Sequence, residues 1–244
     1  MKKLILFSLL VLLVAAPVSA RGRKGSGRGG NKGGDVEQPV QILDETERAD
    51  LLFIREEEKL ARDVYMALYD VHKVRAFRKI SQSEQRHMDA LLTLIEKYEI
   101  TDPVGDNAVG EFTNTTLQSL YTQLVAKGKE SLVDALVVGL TIEDMDIHDL
   151  VGDLDRTDNT DVRTVYQNLM KGSRNHLRAF ASLLEAEGET YVPVYISQDE
   201  YDSIVDSPKE RGRVDADGDR VGGRKGGRKG GRKGGRNGRR GGRR

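Results

Sequence analysis

The chain has 244 residues, with 39 lysines and arginines balanced by 39 aspartates and glutamates, and it contains no cysteine. Lack of cysteine excludes disulfides, iron–sulfur clusters, thiolate metal sites and cysteine nucleophiles, so any metal must be held by His, Asp or Glu, ligands suited to iron, manganese or zinc. The zero net charge conceals a segregation: residues 21–34 carry five bases, 222–244 carry eleven and the first twenty residues two, which leaves 21 bases against all 39 acids in between, a middle near −18.

In chain order, Lys2 and Lys3 precede an apolar run from Ile5 to Ala16 and the small residues Pro17-Val18-Ser19-Ala20. This is the pattern of a secretory leader over 1–20, so the mature protein is expected to be exported, to a periplasm or to the medium. Residues 21–44 begin with a Gly-rich basic tract that cannot bury enough apolar area to order itself. Four long patterns with helical spacing follow. The first runs through Leu51, Ile54, Glu58, Ala61, Tyr65 and Leu68; the second through Ile80, Glu84, His87, Leu91, Leu94 and Tyr98. The third takes Leu132, Leu136, Gly139, Glu143, Ile147, Leu150 and Leu154; the fourth Val162, Tyr166, Leu169, Ser173, His176, Phe180 and Leu183. Ser81 stands three before Glu84 in the spacing of a capping box, Asn159 or Thr160 opens the fourth helix, and Gly188 closes it. The connection between the second and third patterns is long, turn-like over 101–110 and helical over 115–127 up to Gly128.

These spacings predict an all-α domain over 45–205: a ferritin-like four-helix bundle whose long connection between helices 2 and 3 carries a short extra helix. Tyr191 to Ile196 reads as extended and Gln198 to Val205 as a last short helix. Residues 206–244 read as a linker and a second Gly/Arg/Lys-rich tail; Asp215-Ala-Asp217-Gly-Asp219 lacks the glycine and glutamate of a complete calcium loop and is taken as polar linker.

Each stripe is apolar except near its middle, where it carries Glu58, then Glu84 and His87, then Glu143, then Ser173 and His176. A buried carboxylate costs several kcal/mol unless it is paired or bound to a cation, about 3–5 kcal/mol when a partner is missing. Four such interruptions should meet at one level and repel one another, and bound metal relieves both costs. Glu84-x-x-His87 places a carboxylate and an imidazole on one helix face. Di-metal carboxylate bundles take one Glu from each of two helices and Glu-x-x-His from each of the other two. Here the second Glu-x-x-His is replaced by Ser173-x-x-His176, and Asp146, three residues after Glu143, can supply the missing carboxylate. Glu57 rivals Glu58, because Phe53, Glu57, Leu60 and Val64 form a second face. Tyr65 and Tyr166 read as core, or as hydrogen-bond partners of the ligands or electron relays. His72 and His148 lie off the stripes and are expected at the surface. The competing reading of the buried acids is an ion-pair network with Arg55, Arg62 or Arg86.

The runs Arg55–Tyr65 (REEEKLARDVY), Ser83–Asp89 (SEQRHMD) and Gly172–Phe180 (GSRNHLRAF) resemble a prokaryotic family of uncharacterised ferritin-like domains, a likeness that extends over about residues 45–205. More distantly the chain is similar to rubrerythrins, whose first helix carries a Glu-x-x-Ala-x-x-x-Tyr pattern matched by Glu58, Ala61 and Tyr65. The resemblance implies a di-iron or related di-metal site at Glu58, Glu84, His87, Glu143 and His176, and no particular reaction.

Three functions are therefore carried forward: a di-iron oxidase or peroxidase acting on oxygen or peroxide, a non-catalytic metal-binding or sequestering protein, and a scaffold held on an anionic surface by its tails. Arg224, Lys225, Arg228, Lys229, Arg232 and Lys233 in the terminal repeats are the expected polyanion contacts, favouring anionic polymer or membrane over nucleic acid because no aromatic residue is interleaved. A homodimer is left open. No phosphate-cradling Gly loop and no Ser/His/Asp hydrolase pattern occurs.

Overall fold

The structure is a computed structural model that describes residues 42–222. The leader, the N-terminal basic tract and the repeats from Arg224 to Lys233 lie outside the described residues. Among the described residues there are six helices: α1 Glu45–His72, α2 Arg75–Lys97, α3 Thr115–Gly128, α4 Leu132–Arg156, α5 Thr160–Ala186 and α6 Gln198–Asp206. None is long and apolar enough to cross a membrane.

Helix boundaries follow from side chains that satisfy the orphan N–H groups of a first turn. Asp44 and Glu47 form a full capping box at the start of α1, which ends with Lys73 in the left-handed region at φ 55°. Asn114, Ser131, Asn159 and Ser197 each accept backbone N–H bonds at the starts of α3, α4, α5 and α6. Gly188, at φ 83°, follows the end of α5 where a Cβ would be strained. Ser81 does not cap α2. That helix starts six residues earlier behind Val74, which makes no side-chain cap, and the Ser81 hydroxyl instead donates to the Arg78 carbonyl at 3.0 Å. The earlier start places Phe77 on the helix with its side chain fully buried.

The four long helices pack as two antiparallel pairs. α1 and α2 meet through Arg62–Gln85, Glu58–His87 and the Arg55 guanidinium on the Met88 carbonyl. α4 and α5 meet through Ser173–Asp146 and through Gly139, whose missing Cβ leaves room for the Phe180 ring. Contacts across the pairs fix their register: Tyr65 with Glu143, Asp50 with Arg156, and Tyr98 with Asn159. Stripe positions are buried throughout, apart from half-buried His87, Leu132 and Leu183.

The interior is divided. One apolar cluster gathers Leu60, Tyr65, Phe77, Ile80, Leu136 and Phe180 with their neighbours. The other gathers Leu51, Ile54, Leu91, Leu150, Tyr166 and Leu169. Between them, on all four helices, lies the level of the polar stripe residues.

Charged residues of α1 also fasten the long connection. Arg55 grips Asp102 through two hydrogen bonds, and the Glu56 carboxylate accepts the N–H groups of Thr113 and Asn114 just ahead of α3. Lys59 and Asp63 are both fully buried, 2.6 Å apart; Lys59 also donates to the Ala108 carbonyl, and Asp63 accepts Gly110 N–H. On the other side, fully buried Asp144 accepts Tyr191 OH and the N–H groups of Val194, Tyr195 and Ile196. That carboxylate, rather than strand pairing, fixes the segment expected to be extended. Residues 206–222 are not a free linker. They carry a short hairpin, β1 (Arg213–Val214) with β2 (Arg220–Val221), and Glu210 joins Arg174 and Arg178 on α5. Asp215 closes the hairpin turn on itself by accepting Asp217 N–H and Asp219 N–H.

Candidate metal centre

α1 brings Glu58 to the middle level, α2 brings Glu84 and His87, α4 brings Glu143 and Asp146, and α5 brings Ser173 and His176. Two groups of ligand-type atoms converge there: Glu58, Glu84 and His87, and Glu84, Glu143 and His176, each within 4.8 Å of one another. Glu84 belongs to both. Its Oε2 lies 2.7 Å from His87 Nδ1, and its Oε1 lies 2.8 Å from His176 Nδ1. Glu58 Oε2 completes the first group at 3.1 Å from His87 Nδ1, and Glu143 Oε2 the second at 3.5 Å from His176 Nδ1. The imidazoles stack at 5.6 Å between centroids.

Neighbours hold this arrangement in place. The Tyr65 hydroxyl donates to Glu143 Oε1 at 2.6 Å. Ser173 donates to Asp146 Oδ2, so the serine that replaces a carboxylate on α5 binds one from α4. Asp146 Oδ1 then remains without a hydrogen bond, as do Glu58 Oε1, Glu84 Oε1 and His176 Nδ1, all buried. His176 Nδ1 and Glu84 Oε1 are close enough to attract, yet they are not aligned as a hydrogen bond. A buried polar atom left unsatisfied costs about 1–3 kcal/mol, so Glu58 Oε1 and Asp146 Oδ1, which have no partner, and the pair Glu84 Oε1–His176 Nδ1, which has only its ionic attraction, together require a reason.

The electrostatics are those of acids crowded away from water. Burial, opposed by His87 and assisted by Glu84 and Glu143, pushes Glu58 up to about 7. Burial together with Glu58 and Glu143 drives Asp146 well above the usual carboxylate range, and burial raises Glu143. Glu84 goes the other way: burial would raise it, but His176 and His87 on its two oxygens hold it well below that range. The histidines answer in kind. Burial lowers them, and the flanking carboxylates more than offset this, taking His176 up to about 10 and His87 well above its ordinary value. Each imidazole thus sits among carboxylates that favour its protonated form.

Glu57 is not in either group. It is fully buried on the neighbouring face of α1, both oxygens lack hydrogen bonds, and burial with Asp149, Asp146 and Glu58 raises it well above the carboxylate range. Tyr166 is not brought to the ligands either. It lies in the second apolar cluster, its hydroxyl without a hydrogen bond and near Asp153 and Asp50. His148 is exposed as expected, but His72 is half-buried with Nε2 2.7 Å from the Gly128 carbonyl. The arginines of the competing ion-pair reading are engaged elsewhere: Arg55 with Asp102, Arg62 with Asp63, while Arg86 is exposed. Sequence reasoning missed the parts played by Gly172, which abuts His87, and by the Lys59–Asp63 pair. The signal for the pair was available as an i,i+4 lysine and aspartate on the apolar side of α1.

The family described as an uncharacterized protein domain, DUF2202, matches residues 47–208. The uncharacterized protein MJ0754 of Methanocaldococcus jannaschii is 53% identical over 174 residues, which cover 71% of this chain and 94% of the relative. The crystal structure of the hypothetical protein MJ0754 from Methanococcus jannaschii is similar with a TM-score of 0.70 and 51% identity, over 72% of this chain and 100% of that one. The likeness thus covers the helical domain and both ligand groups.

Proposed function

The chain belongs to the DUF2202 family, and we propose that it is a ferritin-like four-helix bundle that binds two divalent metal ions, iron in the first place, and reacts as an oxidase or peroxidase with oxygen or peroxide. The observation that carries this reading is the pair of three-residue groups sharing Glu84, with four buried ligand-type atoms left without hydrogen bonds. The donors are carboxylate oxygens and imidazole nitrogens, which suit iron and also manganese or zinc. Two antiparallel helix pairs with a long link between them, and ligands projecting inward at one level, support the bundle assignment.

Glu58 and His87 would hold one ion, Glu143 and His176 the other, and Glu84 would lie between them. Asp146, with Oδ2 fixed by Ser173, offers Oδ1 as a further ligand atom in place of the absent second Glu-x-x-His carboxylate. When bound, paired iron ions supply the one-electron steps by which oxygen or peroxide is reduced. The chain contributes the rest: Tyr65 orients Glu143 through its hydrogen bond, and apolar layers lie above and below the centre while the His87 ring keeps a partly exposed face.

A second reading, metal held without turnover, is favoured by one feature. Ser173 stands where the pattern of two Glu-x-x-His helices would place a carboxylate, which leaves the second ion one donor short unless Asp146 supplies it. Elemental analysis of protein loaded anaerobically with ferrous iron separates the two. About two irons per chain, with oxidation spectra on exposure to oxygen or peroxide, are expected; a single non-redox ion selects the second reading, and no metal removes both.

Export through residues 1–20 and tethering through the basic tails belong to the same proposal. Deleting residues 222–244 is expected to weaken salt-sensitive retention on heparin and on anionic vesicles while the helical circular-dichroism signal stays unchanged. Retention that survives the deletion would remove the tether.

A further inference from the structure

Gly172 lies well inside the 27-residue α5, one residue before Ser173 and four before His176. No turn, cap or positive φ is found there, and glycine within a helix is less favourable than alanine. What the position does have is an imidazole against it. A Cβ on residue 172 would stand 2.5 Å from His87 Nε2 and 2.6 Å from His87 Cε1, closer than real Cβ atoms come to any heavy atom. Nδ1, bonded to the same Cε1 and pointing away from Nε2, lies 2.7 Å from Glu84 Oε2 and 3.1 Å from Glu58 Oε2. The ring is therefore seated between the α5 backbone and two carboxylates, with the His176 ring stacked on it.

We infer that Gly172 is a positioning residue for His87: its missing Cβ admits the imidazole edge to the α5 backbone, and that seat is what sets Nδ1 at Glu58 and Glu84. A side chain at 172 would displace the ring, the flexible partner in this contact, and moving the ring moves Nδ1 relative to the two carboxylates. The consequence for metal binding rests on the proposed function; the seat itself does not.

The test is a double-mutant cycle read in two ways. Thermal melts of metal-free wild type, Gly172→Ala, His87→Ala and the double variant isolate the contact. In the His87→Ala background, alanine at 172 acts only through helix propensity and should raise Tm by about 2–4 °C. With His87 present the same change should give no rise or a fall. Cobalt(II) titration then reads the site. Gly172→Ala should weaken one of two equivalents by about tenfold or more and leave the other as in wild type. An equal Tm rise in both backgrounds, or an unchanged cobalt affinity, would overturn the inference. If wild type binds no cobalt at all, the metal proposal fails, and the melts alone still decide whether Gly172 seats His87.

Discussion

If the centre binds two metal ions as proposed, Glu84→Ala is expected to abolish both equivalents at once, whereas Glu58→Ala and Glu143→Ala should each cost one. Glu84 is the residue common to both ligand groups, with one oxygen facing each histidine. Removing it leaves each prospective site with a single carboxylate and a single imidazole, apart from Asp146. Loss of a supporting residue outside the ligand set already lowers affinity by about 10–100-fold, so loss of the shared carboxylate should lower both affinities by about 100-fold or more. Isothermal titration with cobalt, checked by elemental analysis after dialysis, reads the stoichiometry. Glu57→Ala is the control. It removes an equally buried carboxylate from the adjacent face of α1, and two equivalents should remain. Retention of either equivalent at wild-type affinity in Glu84→Ala would show that Glu84 is not shared, and loss of one in Glu57→Ala would return Glu57 to the ligand set.

Asp63→Ala should destabilise the protein strongly, by about 3–5 kcal/mol, because it strands a buried ammonium. Lys59 is wholly removed from water and keeps only the Ala108 carbonyl and the face of Phe112, 4.5 Å from its ring centroid, once Asp63 is gone. The converse change is milder. After Lys59→Met the Asp63 carboxylate still has Arg62 and the N–H of Gly110, and a loss of about 1–3 kcal/mol is expected. Urea denaturation of both variants gives the difference directly, and hydrogen exchange at residues 108–112 should rise in each, since this pair ties that loop to α1. If the two variants lose equal stability, the asymmetry argued from their remaining partners is wrong. The α1 run that contains this pair thus divides its labour: Arg55, Glu56, Lys59 and Asp63 fasten the connection, and Glu58 and Tyr65 turn to the centre.

The sequence by itself determined the helices, their faces and the level at which charge is buried. Leu51, Ile54, Glu58, Ala61, Tyr65 and Leu68 repeat at the period of an α-helix, which is a property of one segment, so the buried stripe could be read without any neighbour. A carboxylate or histidine on such a stripe violates the apolar rule visibly, and that is why Glu84, His87, Glu143 and His176 were legible. Tertiary structure decided the rest, because it depends on register between helices. Glu57 and Glu58 are adjacent in sequence and both fully buried, and only the seat of α2 against α1 separates the one beside His87 from the one facing Asp149. Ser81 carries the spacing of a cap, yet α2 starts six residues earlier and buries Phe77. Asp146 approaches Ser173, and His87 rests on Gly172, across interfaces between different helices. Local periodicity states which way a side chain points; what it meets there is fixed by how far each helix slides along the next.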